Sequence, residues 1–372
     1  MLIRHATALL DGRFQEDIDV RIHNGCVQEV GSGLTKGLYE ELTDLRGDYL
    51  LPGFVDVHIH AFRGHDTMQG EAAVRAMSRD LYKVGVAAFL PTTMSASVED
   101  TRAAVDGVRG VLKDQETRGA RVLGCHMEAP FLQPTKAGAQ VKEHFLLPSV
   151  ERFLALSGGA DAVRIITMAP ELEGSEAFIR WATAQGITVS IGHTSATAEQ
   201  AHEAAAWGAS HVTHTFNAQT PLQHRAPGVP GAALTDDRLY AEMIADGVHL
   251  HPDILRLLAR AKGWQRVLCI TDAMEAAGMP DGDYSLGGQR VIVRSDEARL
   301  ADGTLAGSVL TMEKALRNLI VRFGFDPTEA AMMCTAVPAD SIGEKLAGRL
   351  IPGSPAPLTH WTKDWSFAGI LD

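Results

Sequence analysis

The chain is predicted to be an α/β protein, a (β/α)8 TIM-type barrel carrying a small β-sandwich built from both chain ends. Three observations predict it. Eight apolar, strand-like runs alternate with amphipathic helical stretches through the middle of the chain. Short strand patterns broken by turns fill the two ends. Histidines and carboxylates close five of the eight apolar runs, and in a barrel all such ends open on one face.

In the first part, residues 1–50, Leu2–Leu10 is mainly apolar, 17–22 alternates, and Asn24-Gly25 is a hairpin turn ahead of 26–30. The barrel is expected over 51–342, with strands at 55–60, 87–92, 122–127, 163–169, 188–192, 211–215, 240–245 and 267–271. Between them, 71–84, 98–112, 175–185, 197–207 and 252–261 carry helical periodicity. The segment 343–372, broken by Pro352-Gly353 and Pro355, returns to the small β domain. A barrel of this kind takes ~250 residues, which 51–342 can hold. The alternative is an open doubly wound sheet. That fold wants a Gly-rich phosphate loop after its first strand, and His58-Ile-His60 stands there instead.

A chain of 372 residues with 45% hydrophobic and 22% charged residues can bury a large core as a soluble protein. Its net charge of −12 argues against nucleic acid or a membrane surface as partner. An anionic substrate is still accommodated by one local cationic pocket. No run of 18 apolar residues suggests a membrane span, and His5, Asp11 and Arg13 interrupt any signal-like start. Cys26, Cys125, Cys269 and Cys334 are scattered without a CxxC pair, which suits a reducing cytoplasm.

The chemistry is carried by the strand ends. His58 and His60 lie two apart, so their side chains leave the strand on one side. The third run ends Gly124-Cys-His-Met-Glu128, the fifth Ile191-Gly-His193, the sixth Val212-Thr-His214 and the eighth Ile270-Thr-Asp272. Each has an ordinary explanation when taken alone. A strand-end histidine usually satisfies a local hydrogen bond, Glu128 could pair with a cation, and Asp272 could cap a helix. His126 and His211 are placed in that ordinary class. Jointly, imidazoles and carboxylates on one face are a ligand set for a divalent cation, zinc ahead of iron or manganese. A catalytic metal keeps a position open for water and lowers its pKa towards ~7. A loosely held carboxylate, here Asp272, can accept the proton and pass it to a leaving group. The expected reaction is hydrolysis at an electrophilic carbon. No serine or cysteine nucleophile is needed, and no GxSxG elbow is present.

These residues resemble the amidohydrolase superfamily, and longer motifs resemble its N-acetylglucosamine-6-phosphate deacetylase family. They are Pro52-Gly-Phe-Val-Asp-Val-His-Ile-His60, Gly64-His-Asp-Thr67, His126-Met-Glu-Ala-Pro-Phe131, Thr167-Met-Ala-Pro-Glu171, Gly192-His-Thr194 and Thr213-His-Thr-Phe-Asn-Ala218. Ile244-Ala-Asp-Gly-Val-His249, Thr271-Asp-Ala273 and Leu305-Ala-Gly-Ser-Val-Leu-Thr-Met312 follow in order. Two absences agree with this branch. The fourth run has no lysine to bridge two metals, and 194–197 has no glutamate of the kind deaminase-like relatives carry.

The resemblance implies that Glu128, His193 and His214 bind a primary metal and that Asp272 is the general base and acid. His58 and His60 would hold a second metal, giving one or two ions per subunit. Arg225 and His249 would bind a phosphate, and Asn217 and Ala218 would place the sugar. Ala139, Gln140, Asp246, Gly247, Val248, Leu305, Ala306 and Gly307 complete the implied substrate contacts. The phosphate pair can be shared across subunits in this family, so a homodimer is expected. The implied reaction converts N-acetyl-D-glucosamine 6-phosphate to D-glucosamine 6-phosphate and acetate, with metal-activated water as nucleophile.

Two departures stand out. Glu128-Ala129-Pro130 replaces the usual Glu-Gly-Pro, and Lys136-Ala-Gly-Ala-Gln140 lacks the histidine that helps polarise the substrate carbonyl. Gln140 offers only a neutral donor, and His144 is a nearby substitute. These changes keep other substrates in view, such as N-acetylgalactosamine 6-phosphate or a cyclic amide. A non-catalytic barrel scaffold is the reading from another class.

Overall fold

The computed structural model describes residues 1–372. The middle of the chain forms eight parallel strands: β1 Phe54–Ile59, β2 Val86–Thr93, β3 Cys125–Met127, β4 Val163–Met168, β5 Thr188–Ile191, β6 His211–Val212, β7 Tyr240–Ile244 and β8 Val267–Ile270. They pair in chain order from β1 to β8. The ring closes where β8 meets β1, because the Asp272 N–H donates to the His58 carbonyl at 2.8 Å. Beside that bond, the buried Asp56 carboxylate accepts from the Thr271 hydroxyl at 2.5 Å and from its N–H at 3.3 Å. Closure excludes the open doubly wound sheet.

Burial on both faces explains why the strands read as unbroken apolar runs: β1 and β2 are buried at every residue. The sixth run is shorter than its pattern suggests. Only His211–Val212 pairs as strand before the chain turns at His214, whose φ is +29°.

The five expected helices form as Glu71–Lys83, Val98–Lys113, Ser175–Ala184, Ala198–Trp207 and Pro252–Lys262. Ser97 and Thr197 cap two of them, each accepting a backbone N–H three residues on. Val150–Ser157 and Gly228–Thr235 are additional helices. So is an antiparallel unit after β8, made of Gly282–Leu286, Gln289–Arg294 and Glu297–Leu300. That unit has its own small core, in which Leu286, Val291 and Ala298 join Met94, Ala139 and Met274. It therefore packs against the rim at the strand ends.

Strands from both chain ends share one seven-stranded sheet. Its order is Phe367–Leu371, Leu358–Trp361, Tyr49–Leu51, Leu2–Leu10, Arg13–His23 and Cys26–Gly31, with Leu42–Asp44 also on Leu2–Leu10. Ile3, Val20, Leu50, Leu350 and Leu358 form its core, separate from that of the barrel. The sheet meets the barrel at Gly53, where a Cβ would lie 2.4 Å from the Pro357 carbonyl and 2.5 Å from the Ala87 Cβ. Only glycine fits there. No helix is long and apolar enough to cross a membrane.

Candidate active site

The C-terminal ends of the strands deliver His58 and His60 (β1), Glu128 (β3), His193 (β5), His214 (β6) and Asp272 (β8) to one buried point. Glu128 is the hub. Its Oε1 lies 3.0 Å from His214 Nε2, 3.3 Å from His193 Nε2 and 3.4 Å from His58 Nε2. Its Oε2 lies 3.2 Å from His60 Nε2. Asp272 Oδ1 is 3.2 Å from His60 Nε2 and 3.5 Å from His58 Nε2.

The donor set fits a cation on chemical grounds. His193 Nδ1 donates to the Lys136 carbonyl at 2.8 Å, so Nε2 of the neutral ring carries a lone pair. That lone pair faces the Glu128 carboxylate and, at 3.1 Å, His214 Nε2. Acceptors facing acceptors repel unless a proton or a metal ion lies among them. Glu128, His193 and His214 could hold one ion, and His58, His60 and Asp272 form a second triad. Burial opposes charge on His60, but the Asp272 and Glu128 carboxylates outweigh it and raise its pKa to about 9. Burial pushes Asp272 up, yet the charges of His58 and His60 prevail and hold it below the usual carboxylate range.

His126 and His211 are buried and neutral, each with its pKa lowered to about 3 by burial. Both His126 nitrogens are engaged, Nδ1 with the Val57 carbonyl at 3.0 Å and Nε2 with the Thr167 hydroxyl at 2.8 Å.

A cavity of about 340 Å³ opens over this point. Of the residues the resemblance implies for substrate, Ala139, Gln140, Asn217, Ala218, His249, Leu305 and Gly307 line it. Gly307 (φ +61°) runs so close to β8 that a Cβ would lie 2.9 Å from the Asp272 carbonyl. Asp246, Gly247, Val248 and Ala306 are not among the residues that line the cavity. Asp246 accepts from the N–H groups of Val248 (2.8 Å) and His249 (2.9 Å) and from His249 Nδ1 (2.6 Å). Burial disfavours both charges, but the pair overcomes it: Asp246 is lowered and His249 raised, which favours the protonated ring on the cavity wall.

Three placements differ from simple expectation. Gln140 accepts the Ser95 N–H on Oε1 at 2.7 Å, which turns its NH2 onto Glu128 Oε2 at 2.5 Å. The amide expected to polarise a substrate is thus engaged with the metal-ligand carboxylate. His144 lines a neighbouring cleft with Asp66 and Glu275, not this cavity. Arg225 is exposed beside His224, outside the cavity of its own chain.

The cavity also has walls that sequence reasoning missed. Thr135, Lys136 and Gly138 belong to the loop that carries Gln140, while Leu286 and Thr304 come from the segment after β8. Beneath the rim, Glu242 of β7 is fully buried against His58. Its signal was a lone carboxylate within the apolar run Tyr240-Ala-Glu-Met-Ile244.

Comparison with known proteins agrees with this geometry. The model of the Amidohydrolase family matches residues 49–369. An N-acetylglucosamine-6-phosphate deacetylase of Bacillus subtilis is 38% identical over 324 residues, covering 86% of this chain and 82% of the relative. An N-acetylgalactosamine-6-phosphate deacetylase of Escherichia coli O157:H7 is 34% identical over 362 residues, covering 96% and 94%. Among solved structures, a mutant N-acetyl-D-glucosamine-6-phosphate deacetylase of Mycobacterium smegmatis in complex with N-acetyl-D-glucosamine-6-phosphate superposes with a TM-score of 0.91. It is 30% identical, with 100% of this chain and 97% of that chain covered. The strand-end histidines and carboxylates, their cavity and these likenesses agree: the chain belongs to the amidohydrolase family, in its branch of N-acetylated amino-sugar phosphate deacetylases.

Proposed function

We propose that the protein hydrolyses the acetamide of N-acetyl-D-glucosamine 6-phosphate, releasing acetate and D-glucosamine 6-phosphate. The convergence of Glu128, His193 and His214 within 3.0–3.3 Å beside Asp272, at the floor of the cavity, carries this reading. Those three residues would hold a primary divalent ion, zinc before iron or manganese, with His58 and His60 serving a second. Such an ion lowers the pKa of a water towards neutrality and polarises a carbonyl.

The chain's own residues supply the rest. Asp272, ionised and at the cavity wall, takes the proton of the attacking water. It then delivers that proton to the nitrogen as the C–N bond breaks. Asn217, Ala218, Leu305 and Gly307 offer a rim for the sugar. The His249 imidazolium, with Asp246 behind it, is a fixed cation for the phosphate. Arg225 is exposed in its own chain and is suited to serve a partner's cavity in a homodimer. Asp246 supports this wall through His249, and the neighbouring Gly247, Val248 and Ala306 complete the substrate contacts of the reading. A cytoplasmic enzyme of amino-sugar recycling, with 51–342 as its barrel and the chain ends as its small β domain, is the whole reading.

Acetate release from phosphorylated and unphosphorylated N-acetyl sugars, after reconstitution with Zn, Fe or Mn, tests it. Removing the phosphate should lower kcat/KM at least tenfold, since a charged hydrogen bond contributes about 1.5–3 kcal/mol. An unaltered kcat/KM would remove His249 and Arg225 from recognition. The galactosamine epimer is the second reading, favoured by the E. coli relative's coverage of 96% of this chain. A higher kcat/KM on that epimer would replace the first.

A further inference from the structure

Glu242 has no role in the reading above, and its surroundings give it one. It lies in mid-strand on β7, with no exposed surface. One carboxylate oxygen, Oε2, accepts from His58 Nδ1 at 3.0 Å and from the His214 backbone N–H at 2.9 Å. The other, Oε1, is buried with no partner. A buried carboxylate with one oxygen left unsatisfied is costly to keep. Packing alone does not account for a charge there.

The contact with His58 does. A carboxylate only accepts, so it keeps a proton on His58 Nδ1, and Nε2 is the nitrogen left to give up its proton and offer a lone pair to an ion. His58 Nε2 is itself buried without a hydrogen-bond partner, and it points at Glu128 Oε1 and Asp272 Oδ1. The same oxygen grips the backbone turn that presents His214. A carboxylate behind a ligating imidazole fixes its orientation and raises its basicity.

The alternative is a separate metal site of His58, His126 and Glu242, whose ligand atoms lie within 4.8 Å of one another. It fails because His126 Nδ1 faces the Val57 carbonyl and its Nε2 is taken by Thr167.

We infer that Glu242 is a positioning residue that holds His58, in the tautomer with Nε2 free, and His214 for metal binding. This deepens the deacetylase reading and rests on its metal site, but not on the identity of the sugar. The test is Glu242→Gln, with metal affinity measured by chelator competition and Tm measured with and without zinc. Metal affinity should fall about 10–100-fold, and the zinc-induced gain in Tm should shrink with it. A structural role would instead lower the metal-free Tm and leave the zinc-induced gain in Tm intact; that result overturns the inference, as does unchanged affinity. If the variant does not fold, 15N-histidine NMR of the wild-type zinc form decides. A His58 proton on Nδ1 supports the inference, and a proton on Nε2 ends it. Failure of the deacetylase reading would appear separately, as an inactive sugar panel with the metal results unaffected.

Discussion

Replacing Asp272 by Asn isolates proton transfer from architecture. The Asp272 backbone is held on both sides, its N–H donating to the His58 carbonyl and its carbonyl accepting from the Ser308 N–H, each at 2.8 Å. The asparagine side chain has nearly the same shape, so the barrel closure and the Glu128–His193–His214 triad should persist. What disappears is a group able to accept a proton and give it back. General acid–base catalysis is worth about 10²–10⁴ in rate, or about 3–5 kcal/mol at ~1.36 kcal/mol per tenfold. The variant's kcat should fall by that factor. Acetate release measures it, and metal analysis of the same sample gives the ion content, expected to match wild type.

The pH profile adds a second readout. A base acts when deprotonated, and the charges of His58 and His60 hold Asp272 below the ordinary carboxylate range despite its burial. Wild-type kcat/KM should therefore hold level through the ordinary carboxylate range and fall only at more acidic pH, and this limb should vanish in the variant. Turnover within tenfold of wild type would remove Asp272 from proton transfer. Activity and metal lost in proportion would make it a ligand first and a base second.

Other positions test other parts of the molecule. Gln140→Ala strips a donor from Glu128 Oε2 and an acceptor from the Ser95 N–H. Each orphaned buried group costs about 1–3 kcal/mol, so chelator competition should find metal held about tenfold more weakly; equal affinity would make the amide a bystander. Gly53→Ala forces a methyl between the Pro357 carbonyl and Ala87 where there is no space. A destabilisation of about 1–3 kcal/mol should lower the melting temperature by several degrees, and an unchanged melt would contradict the close junction. Asp236 is held well below the usual range by Arg238 first, against some burial, with help from His202. A lowered carboxylate pKa stabilises above the unfolded value and loses that effect as pH falls through the folded one. Asp236→Asn should thus melt below wild type at pH 7, with the two curves converging below pH about 4; a constant gap would refute the ionic origin.

How much of this was readable from the sequence depended on geometry local to each strand. His58 and His60 could be paired because a strand repeats every two residues. Glu128, His193, His214 and Asp272 could be pooled because a barrel opens all its strand ends on one face. Glu242 escaped that logic. It sits within its strand, one layer below the rim, where a carboxylate in an apolar run looks like an exception rather than a support. Leu286 and Thr304 reach the cavity through the antiparallel unit after β8 and its return segment, whose path no periodicity predicts. The orientation of Gln140 was hidden for a similar reason. It is decided by Ser95, just beyond β2 and 45 residues away in the chain. Arg225 shows the reverse: its motif pointed to a phosphate, but its own chain leaves it exposed.

The backbone at the site explains why such distant supports are needed. His193, His214 and Asp272 have φ values of +45°, +29° and +50°, and Phe216 and Ala218 are also left-handed. Such conformations cost non-glycine residues roughly 1–2 kcal/mol each. Glycine would relieve the strain at the three ligand positions, but it carries no imidazole or carboxylate. The strain has to be held by neighbours instead. The His193 carbonyl accepts from the Gln133 N–H at 2.9 Å while its ring donates to Lys136. The His214 N–H is held by Glu242, and its carbonyl accepts from the Asn217 N–H at 2.9 Å. Asp272 is held between β1 and Ser308. None of these bonds involves a cation. The chain therefore sets the ligand geometry through its own contacts, so the free energy of binding an ion is not spent on folding loops.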